Sequence, residues 1–198
     1  MRTIVAPLLA LAAVAVVGVA QGRPPHWPAG ATVRVWVDQE EAPLNGQDLV
    51  VRAMRTWTTA SVGRMTLTKA TSRDVADIVV SFVGAGGNYG VTRPMIDPRT
   101  GLIVRAEVRI ASDVPADALT RQIVAYLTAL HELGHALGLE HTTNFTDIMY
   151  LFRLPGDAAR YFGDYRARLR SADDIGSPMA TGLSSYDVDA LRALYQGQ

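Results

Sequence analysis

The sequence predicts an α+β or mixed α/β domain organised around one twisted sheet. Three observations carry that prediction. Five stretches show strand patterning, and the longer apolar periodicities between and after them are helical. Their order is strand, helix, four strands, long helix, irregular tail and closing helix, which suits a sheet covered by helices. The 198 residues, 48% hydrophobic and 19% charged, suffice for one domain with a sizeable core.

Thr32-Val33-Arg34-Val35-Trp36-Val37 alternates polar and apolar side chains, the period of a strand with one buried face. Asn45-Gly46 is a turn, after which Leu49, Ala53, Met54 and Trp57 recur at helical spacing, so a helix is expected over about 46–61. Arg64 to Ala70 alternates again, and Ala76 to Val83 reads as a short buried strand. A glycine-rich loop, Gly84 to Gly90, leads into two strands, Tyr89–Ile96 and Leu102–Ala111, joined by the turn residues Asp97-Pro98-Arg99-Thr100-Gly101. Asp117 to Leu139 is the longest helical pattern, with Leu119, Ile123, Tyr126, Leu127, Leu130, Leu133 and Leu137 on its apolar stripe. Gly138 suits its left-handed stop. In the less regular segment 151–182, Tyr161, Phe162, Tyr165 and Leu169 suggest a short amphipathic helix, and Ser185 to Tyr195 closes the chain as a helix with a serine N-cap.

Charge and cysteine content exclude several function classes. The formal net charge is zero, and the arginines at 160, 166, 168 and 170 are interleaved with Asp157, Asp164, Asp173 and Asp174 as on a solvated helix face, so no nucleic-acid partner is expected. With no cysteine there is no disulfide framework, thiolate metal site or cysteine nucleophile. The N-terminus has the layout of a secretory signal peptide: Arg2, the apolar run Ile4 to Val17, then the small residues of Gly18-Val19-Ala20. Residues 1–20 are therefore read as a signal peptide, 21–30 as a proline- and glycine-rich linker and 31–198 as the functional domain. The expected location is secreted, extracellular or periplasmic, without stable membrane association once the signal is cleaved. If it were retained, the apolar run would be an anchor at the short end of the roughly 17–25 residues that span a bilayer. Lipoprotein anchoring is excluded because no cysteine follows the run.

The chemistry concentrates in His131-Glu132-Leu133-Gly134-His135-Ala136-Leu137-Gly138-Leu139-Glu140-His141. Histidines four residues apart lie on one helix face, one turn apart, and can take two corners of a tetrahedral zinc site. A stop at Gly138 would swing His141 back as third ligand, leaving one position open as a catalytic zinc requires. Glu132, beside the first ligand, can reach a zinc-bound water without ligating the metal. Zinc would bring that water's pKa towards about 7 and polarise a scissile carbonyl. Glu132 would take the proton and pass it to the leaving amine. Two ordinary helix histidines are the competing reading, but three of the chain's four histidines fall in this window. The fourth, His26, is expected to be solvated.

At these residues the chain resembles the metzincin superfamily, whose signature is H-E-x-x-H-x-x-G-x-x-H followed by a methionine turn. Asp147-Ile148-Met149-Tyr150 looks like that turn, with Met149 eight residues beyond His141; with Thr142 after the third histidine, it is most similar to the matrixin branch, peptidase family M10. Trp57, Ala76-Asp77-Ile78-Val79 and Asp187…Leu191…Leu194-Tyr195 extend the likeness over most of 31–195. The resemblance implies a twisted, mostly parallel five-stranded sheet with an active-site helix and a C-terminal helix. It also implies a peptide or protein substrate added as a strand to the edge near Tyr89–Met95. Met149 would be a floor beneath the zinc, and Tyr150, Leu151 and Phe152 would border the pocket beyond the scissile bond.

Departures shape the expectations as well. No cysteine-bearing propeptide is present, and the histidines of a second, structural zinc are missing, so one Zn2+ is expected. Leu151 stands where proline is usual. The insertion 151–182 reads as surface elaboration in preference to a flap over the cleft, and Met179 as an ordinary loop residue. Glu140 reads as a surface carboxylate. Ca2+ has no diagnostic ligand pattern at Asp97, Asp113 or the glycine-rich loop. A secreted zinc-binding protein without turnover and a membrane-anchored processing protease are the alternatives to a secreted zinc endopeptidase.

Overall fold

The computed structural model describes residues 23–84 and 88–196; the segment read as a signal peptide lies outside the described residues, as do positions 85–87 of the glycine-rich loop. The elements are β1 Thr32–Val37, α1 Gly46–Ser61, β2 Thr66–Lys69, β3 Ile78–Val83, β4 Gly90–Ile96, β5 Ile103–Ala111, α2 Ala118–Ala136, α3 Asp157–Arg166 and α4 Ser185–Leu194, with a single 3-10 turn at Ala172–Asp174. The strands form one sheet in the order β2-β1-β3-β5-β4. The pairs β1–β2, β1–β3 and β3–β5 are parallel, and β4 pairs antiparallel with β5. This is the α+β, mostly parallel five-stranded sheet anticipated from the sequence.

Chain connectivity explains why β4 is the odd strand. Asp97–Leu102 is too short for a crossover, so β4 and β5 form a hairpin, closed by Asp97 N–H to Leu102 O and Gly101 N–H to Asp97 O. β4 therefore ends at the sheet edge with one side unpaired. The β1 alternation buries Val33, Val35 and Val37 on one face, and α1 and α2 cover that face.

The two helices are locked together by Trp57, fully buried, whose indole N–H donates to Leu130 O at 2.8 Å. Asp117 caps α2 at its N-terminus, accepting from Leu119 and Thr120 N–H. The C-terminus is a Schellman turn: Leu139 N–H bonds Gly134 O, Gly138 N–H bonds His135 O, and Gly138 has φ +97°. Two carbonyls that helix termination would orphan find side-chain donors. Ala136 O accepts from the Trp27 indole at 2.8 Å and Leu137 O from the Tyr195 hydroxyl at 2.9 Å.

That packing corrects one expectation. His26 is not solvated: it is 6% exposed, its ring edge-on to Tyr195, and Trp27 beside it is 5% exposed. The proline-rich composition sets an extended path, but Trp27 has an indole donor and a large apolar area to bury, and the end of α2 takes both. The closing helix is capped by Ser184 in a capping box with Asp187, one residue before the expected start.

At Gly138 a Cβ would meet Pro25 O at 2.1 Å, and the backbone is left-handed. Gly138→Ala is expected to cost at least about 2 kcal/mol, from left-handed strain plus displacement of the Pro25 backbone. Urea unfolding measures this, and a change below about 0.5 kcal/mol would mean that the turn relaxes freely.

Candidate active site

α2 carries His131 and His135 on one face, and the Schellman turn returns His141 to them. The three rings converge. His135 Nε2 lies 3.1 Å from both His131 Nε2 and His141 Nε2, and one nitrogen of each ring lies within 4.8 Å of the others. Ligands about 2.0–2.1 Å from a tetrahedral zinc are about 3.3 Å apart, so the cluster has the spacing of three corners of such a site. The opposite ring nitrogens settle the tautomers. Nδ1 of His131 donates to Ile148 O at 2.6 Å and Nδ1 of His135 to Leu139 O at 2.8 Å, which leaves Nε2 of each as a lone-pair donor. Burial drives the His131 pKa down to about 4, and its two histidine neighbours add to this against the pull of the Ile148 carbonyl. Burial likewise lowers His135 and His141. Neutral imidazoles are the form that binds a metal, so the donor set fits zinc.

Glu132 sits beside the cluster and is 5% exposed. The Thr92 hydroxyl lies 2.7 Å from its Oε2 and 2.9 Å from its backbone carbonyl. A Cβ on Gly90 would fall 2.6 Å from both Cγ and Oε1 of Glu132, so the start of β4 fits the carboxylate only because that residue is glycine. Burial pushes the Glu132 carboxyl up to about 7, partly opposed by the Thr92 hydroxyl.

Met149 is 2% exposed and packs under α2, where a Cβ on Gly134 would approach its Sδ at 2.5 Å. The turn carrying it is held from two sides. Thr142 N–H bonds Met149 O, and the buried Asp187 of α4 accepts from Ile148 N–H at 2.9 Å and Met149 N–H at 3.4 Å, as well as from the Ser184 backbone and hydroxyl. Met179, by contrast, is 91% exposed.

The histidines and Glu132 open into a cleft of about 750 Å³ between β4 and the C-terminal part, with Tyr150, Leu151 and Phe152 on its border. The insertion contributes more than surface elaboration. Leu154, Ala158, Tyr161 and Phe162 line the same cleft, because α3 packs its aromatic face inward against Tyr89 and Phe152. Asp157, at the start of α3, organises this wall by accepting from Tyr150 OH, Arg153 N–H and Leu154 N–H. Thr92, Gly90 and Asp157 are the residues that sequence reasoning passed over. Gly90 and Thr92, two apart in an edge strand, had to share a face, which is the signal that was available.

A buried carboxylate beside three convergent imidazoles, on a helix lining a cleft at a free sheet edge, defines a zinc-metallopeptidase type of domain. The chain belongs to the matrixin family of zinc metalloendopeptidases: the matrixin family model matches residues 32–161. It is similar to Metalloendoproteinase 1 of Glycine max, 30% identical over 142 residues, covering 64% of this chain and 45% of that protein. It is also similar to the interstitial collagenases of Oryctolagus cuniculus, 32% identical over 109 residues (51% of this chain, 22% of that protein), and of Sus scrofa, 28% identical over 157 residues (74% and 27%). The chain thus spans less than half the length of these relatives.

Replacing Asp187 by alanine strands buried N–H groups of the methionine turn. It is expected to cost about 3 kcal/mol and to speed metal loss to a chelator, read by urea unfolding and by zinc release. Unchanged values of both would show that Asp187 does not support the turn.

Proposed function

We propose that this protein is a secreted zinc-dependent endopeptidase in which His131, His135 and His141 hold one Zn2+ and Glu132 is the general base. The observation that carries the proposal is the buried Glu132 carboxylate beside three histidine nitrogens at the floor of an open cleft. A zinc ion bound there supplies Lewis acidity and acidifies a water towards a pKa of about 7. Glu132 takes a proton from the attacking water and returns it to the leaving amine, and its burial keeps competing solvent away from that transfer.

The substrate is a peptide or protein segment bound in extended form. Ala111 N–H bonds Tyr89 O, so alternate residues of β4 turn their backbone groups to β5, and Gly90, Thr92 and Pro94 turn theirs to the free edge. Gly90 and Thr92 each offer an N–H and a carbonyl to an added strand; Pro94 offers only a carbonyl, so the edge is short and directional. Met149 forms the apolar floor below the metal. Tyr150 and Leu151 border the pocket that takes the side chain after the scissile bond, and Tyr161 and Phe162 close it, which favours a large apolar side chain. The Tyr150 hydroxyl is committed to Asp157 and is not a proton donor to the reaction.

Secretion rests on the N-terminal sequence, and no helix among the described residues is long and apolar enough to cross a membrane. N-terminal sequencing of the exported protein is expected to read from Gln21 or close to it; a retained Met1 would assign the protein to a membrane-anchored form.

Glu132→Ala is expected to retain stoichiometric zinc while peptide cleavage falls by at least about a hundredfold. Zinc removal is expected to abolish wild-type cleavage, with recovery on adding zinc. Zinc binding without wild-type cleavage would identify a binding protein without turnover, and a wild type without stoichiometric zinc would overturn the metal site.

A further inference from the structure

We propose that Thr92 is a positioning residue for Glu132: its hydroxyl, on the cleft face of β4, holds the carboxylate in one orientation. The inference rests on the proposed role of Glu132 as general base. A glutamate side chain has three rotatable bonds, and a helix leaves several of its rotamers open. Here two features of one strand close them. Gly90 leaves a slot that fits Cγ and Oε1, with Cβ-equivalent distances of 2.6 Å, and Thr92 meets Oε2 at 2.7 Å. Among the described residues the Glu132 carboxylate makes no other hydrogen bond, so Oε1 stays available for a proton. The Thr92 hydroxyl also lies 2.9 Å from the Glu132 carbonyl, so its one proton is shared between that carbonyl and the nearer Oε2, and both acceptors belong to the same residue of α2.

The placement joins two tasks at one residue. The backbone N–H and carbonyl of Thr92 face the free edge where an extended peptide adds. Its side chain faces the base. A peptide pairing with Thr92 therefore meets a strand whose position already defines that of Glu132, and the scissile bond and the base share one reference point. Deleting the hydroxyl leaves the backbone edge intact, so it should slow the chemical step and leave peptide affinity in place.

The test compares Thr92→Val and Thr92→Ser with wild type on an internally quenched peptide carrying leucine after the scissile bond. Thr92→Val removes the hydroxyl and keeps the branched shape. The expected result is a fall in kcat of about tenfold or more, the scale of losing one hydrogen bond to a charged group, with KM changed less than about twofold and zinc content unchanged. Thr92→Ser, which restores the hydroxyl, is expected to recover most of kcat. Equal kcat in Thr92→Val and wild type would overturn the proposal. So would a loss in Thr92→Ser as large as in Thr92→Val, or a loss confined to KM. If Thr92→Val does not fold, Thr92→Ala carries the same comparison; failure of both to fold while Thr92→Ser folds would assign the hydroxyl to stability and overturn the positioning role. A wild type that binds zinc but cleaves nothing removes the proposed function and this inference together, whereas active wild type with unimpaired Thr92→Val removes this inference alone.

Discussion

The C-terminus of α2 has to stop within two residues of His135 and turn back, because His141 can join the other two histidines only if the helix does not continue. A helix ending there leaves unpaired carbonyls in a region packed on all sides, and buried acceptors without donors are costly, about 1–3 kcal/mol each. The fold answers with backbone and side chains from distant parts of the sequence. Leu139 and Gly138 N–H close the Schellman turn, Trp27 takes Ala136 O and Tyr195 takes Leu137 O. Both ends of the described chain thus converge on the helix stop. The N-terminal proline-rich segment and α4 are part of the histidine cluster's support although neither supplies a member of it.

The second constraint is the burial of charge. Glu132 and Asp187 are both almost inaccessible, and each is accommodated differently. Asp187 accepts from backbone N–H groups and a hydroxyl, so its negative charge is dispersed over the methionine turn and the start of α4. Burial still raises its pKa, as it does for Glu132. Among the described residues Glu132 has only the Thr92 hydroxyl as a partner for its carboxylate, and its remaining side lines the cleft. One carboxylate is saturated with donors and structural, and the other is left undersatisfied next to three imidazoles. The contrast follows from where the donors are: the backbone of a turn and a helix start surrounds Asp187, and a single strand hydroxyl meets Glu132 beside the cleft.

The legible parts of the sequence were those where local pattern and chemistry coincide. Alternation in Thr32–Val37 was readable because one face of β1 is buried by helices, and the long stripe of α2 because a single face meets the core. The histidine cluster was readable because helix geometry places residues four apart together and a glycine announces the stop. What could not be read depends on contacts between segments far apart in sequence. Thr92 meets Glu132 across forty positions, a pairing set by where β4 lands at the sheet edge. Trp27 sits among prolines and glycine that signal a linker, and only the three-dimensional position of the end of α2 gives its indole a partner. The aromatic residues of α3 were visible as an amphipathic pattern, but the face they cover is decided by Tyr89 and Phe152 from other segments.

These dependencies divide the cleft into two halves with different mechanical character. The half that carries the histidines and Glu132 is built on α2 and β4, held by the sheet, by Trp57 and by helix termination, so its side chains are positioned by regular elements. The opposite wall is built from 150–162, a segment with little regular structure before α3, whose shape is gathered by one carboxylate, Asp157. Loops and short helices tolerate change in length and sequence far better than a packed sheet. The two halves meet beneath the histidines, where Ile148 O accepts from His131 Nδ1 and Met149 packs under α2, and again along the cleft, where Phe152 and Phe162 pack on Tyr89. The insertion thus shapes the cleft on the side where a change of sequence costs the packed sheet least, and its link to the histidines runs through the one turn that α4 holds from behind.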